Sequence, residues 1–230
     1  MTGGGLGNAG LVALLAIVPL VVLMLTSFVK ISVVLSLVRN AIGAPDAPSG
    51  LVVMGLSLVL TFFVMAPVAV EMVQAAATAP APAPAGAVTP PPSPLETAVR
   101  TLVPAEHQGD VDAVARALGP LEKFLARHAG AKDRATFVEL SAKMGRAATG
   151  TELWVLAPAF LTTELREAFA IAVLIFIPFL VIDLIVALGL ASLGLATTSP
   201  QVVALPLKLL LFVAVDGWRL LIDSLLRGYA

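Results

Sequence analysis

The chain contains no cysteine, which excludes disulfides, thiolate metal ligands and thiol nucleophiles. Histidine is almost missing too. His107 and His128 lack a His-Glu-x-x-His pattern and any carboxylate at ligand spacing, so no metallohydrolase site is expected. Charge is scarce, at 13% of 230 residues with a formal net charge of −1. With no basic run and no basic–aromatic interleaving, nucleic acid is not an expected partner. Gly3, Gly4 and Gly5 precede no strand–turn–helix unit and form no phosphate loop. Thr26, Ser27, Ser32 and Ser36 have no partner base, and small residues at such spacing favour close helix packing. Neither a cofactor nor enzymatic chemistry is implied.

What the chain does have is apolar sequence. It is 59% hydrophobic with a mean hydropathy of +0.99, whereas soluble domains are nearer half apolar and a quarter charged. Four long apolar stretches cover residues 11–38, 51–73, 160–196 and 202–226. Each is longer than a buried soluble helix needs. An all-α integral membrane protein of two helical hairpins is predicted. The run at 11–29 follows no basic region and is long enough to span, so it is expected to be retained rather than cleaved. Asn40 and Gly43 suit a helix end, and Pro45 and Pro48 block continuation, so the first two stretches turn there. The last two turn through residues 194–200, before Pro206.

Between the hairpins the composition changes. Residues 79–94 form an Ala/Pro tract that favours extended polyproline II and reads as a spacer. Ser93, Pro94 and Glu96 then make a capping signature, with Leu95, Val99 and Leu102 at helical spacing. A second amphipathic helix is expected over 110–128 with a break at Gly119 and Pro120. A third is expected over 133–146, with Phe137, Leu140 and Met144 on one face. The organisation is therefore 1–73 hairpin, 74–94 linker, 95–152 extracytoplasmic helices and 153–230 hairpin, with a loop at 195–205. Arg39 in the short first loop, with Lys30 nearby, places that loop in the cytoplasm. The amino end and residues 74–153 then lie outside.

The sparse charges carry most information. A charge on a lipid-facing helix costs roughly 2.5–3.5 kcal/mol on insertion scales, so several in one segment must face protein, water or one another. If residues 202–227 form one continuous helix, Lys208, Asp216, Arg219, Asp223 and Arg227 fall within an arc of about 100°. Asp216 and Arg219, Arg219 and Asp223, and Asp223 and Arg227 alternate in sign at neighbouring positions. Such a stripe serves either as salt bridges that fix assembly or as the hydrated wall of a conduit. Asp183 is expected to pair with Lys208 or Arg219, within or between subunits. Glu164, Arg166 and Glu167 read as the solvated first turn of the third stretch, near its amino end.

These residues also resemble a known family. Residues 26–43 (TSFVKISVVLSLVRNAIG), 60–68 (LTFFVMAPV), 158–169 (PAFLTTELREAF), 176–184 (FIPFLVIDL) and 204–218 (ALPLKL…DGW) match in order the signatures of the FliP/SctR family. That family supplies the large core subunit of the type III secretion export gate. The FVKIS wording resembles the injectisome, virulence-type branch more than the flagellar one.

The resemblance implies a non-enzymatic subunit of the bacterial inner membrane. Five copies join two smaller hydrophobic subunits in a helical cone, largely on the periplasmic side, through which unfolded proteins leave the cytoplasm. Leu195, Ala196, Thr197 and Thr198 would lie at the pore. Lys30, Arg39, Glu164, Arg166, Asp183, Lys208, Asp216 and Arg219 would hold neighbours in register. Two departures stand out: no methionine occurs at 195–197, where the family carries a constricting run, and the 79–94 tract looks inserted. The alternative from another class is a small-solute transporter or proton channel relaying through Asp183, Lys208 and Asp216.

Overall fold

The computed structural model describes residues 21–44, 48–78, 108–195 and 197–229. The expected amino-terminal run up to residue 20, the Ala/Pro tract, the Ser93 capping signature, the Leu95–Val99–Leu102 helix, His107 and Ala196 lie outside them. Among the described residues every element is helical: α1 (Phe28–Ile42), α2 (Gly50–Ala77), α3 (Gln108–His128), α4 (Ala131–Lys143), α5 (Leu153–Ser192), α6 (Pro200–Ala214) and α7 (Gly217–Arg227).

Helix α1 is the centre of the molecule. It packs against α2, α5 and α6, and Ile31, Val34, Leu35, Val38, Ala41 and Ile42 are buried along it. It ends where Gly43 takes φ 84° and its N–H donates to the Asn40 carbonyl, a left-handed cap that only glycine adopts without strain. Arg39 in its last turn donates from Nη1 to the Pro48 carbonyl at 3.5 Å across the connection. Helix α2 starts at Ser49, whose hydroxyl accepts from the Val52 N–H. Its own hydroxyls are satisfied within the helix: Ser57 donates to the Val53 carbonyl at 2.8 Å and Thr61 to that of Ser57 at 2.6 Å. At its far end Arg116 of α3 donates to the carbonyls of Ala75 and Ala76, each at 3.4 Å, satisfying groups that the end of a helix leaves open.

Two apolar cores result. One joins α1, α5, α6 and α7 with Val53 and Leu60 of α2. The other gathers Leu25, Leu121, Phe124, Leu125, Leu156, Ala159 and Phe160, flanked by Met65 and Met72 of α2.

The structure departs from the sequence reading at five points. Two described helices, α2 and α5, are long and apolar enough to cross a membrane, not four; α1 has 15 residues and turns most of its faces inward. The third apolar helix begins earlier, at Leu153, and runs for 40 residues, because Leu156, Ala159 and Phe160 pack on α3 and draw the polar turn 162–167 into the helix. Pro120 does not break α3: Leu121, Phe124 and Leu125 on the following turn are buried, and that packing outweighs the lost hydrogen bond, about 3 kcal/mol. The fourth stretch is two helices, α6 and α7, separated at Val215 and Asp216. On α4, Phe137 meets the second core, whereas Leu140 and Met144 are exposed.

Candidate functional site

Three charges of the apolar helices, Lys30, Glu164 and Lys208, are buried, and the ionic contacts of the helices gather in three groups. In the first, Lys208 of α6 reaches the Asp183 carboxylate of α5 at 2.6 Å and donates to the Ala41 carbonyl of α1 at 3.2 Å. Lys208 is buried. The short turn between α5 and α6 sets these residues level, so one ammonium joins three helices. Leu205 and the Lys208 Nζ also lie 3.9 Å from where a Cβ at Gly43 would stand.

The second group surrounds Lys30 of α1. Its Nζ lies 3.2 Å from Glu164 and 2.7 Å from Glu167, both on α5. Lys30 and Glu164 are 2% and 1% exposed, so this is a sealed ion pair in which each charge is expensive without the other. Tyr229, just beyond α7, donates its hydroxyl to Glu164. Its ring lies under the Lys30 ammonium, 4.3 Å from the centroid, a cation–π geometry. His128, at the end of α3, accompanies it with ring centroids 5.3 Å apart. Burial pushes the His128 imidazole below its ordinary value; the Phe124 carbonyl opposes this, and the Lys30 charge adds to it. Burial, then the Glu164 carboxylate, pushes the Tyr229 phenol far up.

The third group ties α4 to α5. Asp133 accepts the Thr163 hydroxyl at 2.6 Å and meets Arg166 at 2.9 Å. The Gly130 N–H donates to Thr163 at 2.9 Å. A Cβ at Gly130 would come within 3.1 Å of Asp133, Thr163 and Arg166, so glycine permits this close approach. At the start of α5, burial raises the Glu152 carboxyl, but hydrogen bonds from the N–H groups of Thr149, Glu152 itself and Gly150 and from the Thr149 hydroxyl win, holding it down to about 2.

Several expectations change here. Glu164, Arg166 and Glu167 do not form a solvated first turn: they lie more than two turns inside α5, and Glu164 is buried. The five-charge stripe is not continuous. Lys208 turns inward, whereas Asp216, Arg219, Asp223 and Arg227 stay exposed. Asp216, at φ 52°, is the one described non-glycine residue in the left-handed region. Arg219 sits 4.0 Å from Asp216 and not beside Asp183. Arg227 bonds Asp223 at 2.7 Å. The tip between α5 and α6 turns through Gly194 at φ 71°, and Leu195, Thr197 and Thr198 are exposed there.

The class these features define is an all-helical membrane-type subunit whose buried charges neutralise one another. The sequence matches the FliP family over residues 11–225. It is 38% identical over 217 residues to a flagellar biosynthetic protein FliP of Pectobacterium carotovorum, across 94% of this chain and 75% of that one. To the hypersensitivity response secretion protein HrcR of Ralstonia nicotianae it is 36% identical over 220 residues, across 94% and 93%. A flagellar biosynthetic protein FliP of Buchnera aphidicola is 37% identical over 221 residues, and there this chain spans about half of the relative's length, 54%. The chain belongs to the FliP family, structural components of protein export and not enzymes. Flagellar and secretion relatives match equally well, so identity does not separate the two branches.

Proposed function

We propose that this chain is a core subunit of a type III export gate, assembling in or above the bacterial inner membrane to form the pore through which unfolded proteins enter. One observation carries the reading: α5, α6 and α7 expose a broad apolar surface that adjoins unsheltered charges. Leu174, Ile185, Leu210 and Val213 are exposed, and so are Asp216, Arg219, Asp223 and Arg227 on the adjoining break and helix. Lipid suits the first set and penalises the second; sister copies and the two smaller hydrophobic subunits suit both. Five copies around an axis would bring Leu195, Ala196, Thr197 and Thr198 together and narrow the passage. Without the methionines of the family, Leu195 supplies the apolar part of that constriction. The periplasmic placement of the cone belongs to the same proposal.

Imaging of the detergent-solubilised chain tests the assembly. A ring of copies is expected, and a stable monomer or dimer would favour a transporter. A relay through Asp183, Lys208 and Asp216 gains little support, because Lys208 is engaged by Asp183 and Ala41 whereas Asp216 sits exposed beyond α6.

A further inference from the structure

Beyond α7 the chain turns back into the body. A Cβ at Gly228 would stand 3.5 Å from the Lys30 Nζ, and Tyr229 fills a socket made by three helices. Phe124 of α3 stacks on its ring with centroids 6.2 Å apart, and His128 leans on it at 5.3 Å. Lys30 of α1 and Glu164 of α5 hold its ring face and its hydroxyl. Aromatic pairing and a desolvated cation–π contact each favour this seat. At the opposite end of α7, Asp216 takes a left-handed backbone at φ 52°, a conformation few side chains adopt and aspartate tolerates, which turns the chain sharply. Between these two points only Gly217, Leu221 and Leu225 of α7 are buried. The helix is thus a short rod held between a sharp left-handed joint and an aromatic anchor.

We propose that Tyr229 is a latch that clasps α7 to α1 and keeps water from the Lys30–Glu164 pair, with Val215 and Asp216 as the hinge about which α7 swings when the latch opens. Opening uncovers Leu221 and Leu225 and hydrates the ion pair. The inference stands apart from the gate reading, and its readouts need no export.

Hydrogen exchange on the full chain in detergent tests it. In Tyr229→Ala, amides of residues 220–227 are expected to exchange at least ten-fold faster while those of α2 are unchanged, with Tyr229→Phe in between. Equal exchange over 220–227 in all three proteins overturns the latch. So does a uniform loss of protection that includes α2, which would make Tyr229 a general packing residue. A second measurement needs no variant, because Tyr229 is the only tyrosine in the sequence. Its absorbance in the wild-type chain is expected to show an un-ionised phenol well above pH 10 while helical circular dichroism persists. Ionisation near the ordinary value of about 10 in the folded chain overturns the proposal.

Discussion

Removing the Lys30 ammonium leaves the Glu164 carboxylate in a site where it is 1% exposed. Breaking one partner of a buried pair costs about 3–5 kcal/mol, so Lys30→Met should lower the unfolding free energy measured in detergent by that order. Lys30→Met combined with Glu164→Leu should recover much of the loss, because two apolar groups leave no stranded charge. Glu152 gives a pH prediction. Its folded carboxyl titrates at about 2 against an ordinary 4.5, so its stabilising contribution is complete above 4.5 and fades as pH falls toward 2. Thermal melts across that window should show a decline that Glu152→Gln lacks. At this scale the sequence was partly legible. Asp183 and Lys208 could be matched because a short turn joins their helices and apolar surroundings demand a partner. Lys30 and Glu164 could not, since nothing local reveals that α1 lies at the centre. Tyr229 belongs to no periodic pattern, and its role emerges only from the socket.

The break between α6 and α7 shows what periodicity alone misses. The charges from Lys208 to Arg227 fit one helical arc, and no proline intervenes between Pro206 and the end. The break is set by packing: Gly217 lies against the Phe212 ring, where a Cβ would have no room, and Phe212 in turn packs on Phe179 and Trp218. Gly217→Ala should therefore force the ring aside at about 1–3 kcal/mol, the usual cost of overpacking, visible as a lower melting temperature. An unchanged melting temperature would mean that Phe212 is free to move. Proline misled in the other direction. Pro120, expected to break α3, lies inside it, and Pro67, Pro158 and Pro178 are likewise carried within helices. Glycine at 43 and 194 was a sounder guide, since both positions take positive φ.

For the whole molecule, hydropathy identified the class but predicted more spans than the two found among the described residues. Apolar sequence marks surface destined for burial, and it does not say whether lipid or protein does the burying. Helix α1 is buried within its own subunit; the outer faces of α5 and α6 await other copies or lipid. Replacing residues 195–197 by glycine should increase ion or small-solute leakage through cells carrying the assembled complex; unchanged conductance would count against a constriction at this tip.

Helix α5 has one more consequence. Its 40 residues extend about 60 Å at 1.5 Å each, whereas a bilayer's oily interior is roughly 30 Å thick. A mast twice as tall as the deck it stands on has to project. Part of that projecting length is already clothed by this chain, where Leu156, Ala159 and Phe160 lie on α3 and Glu164 meets Lys30.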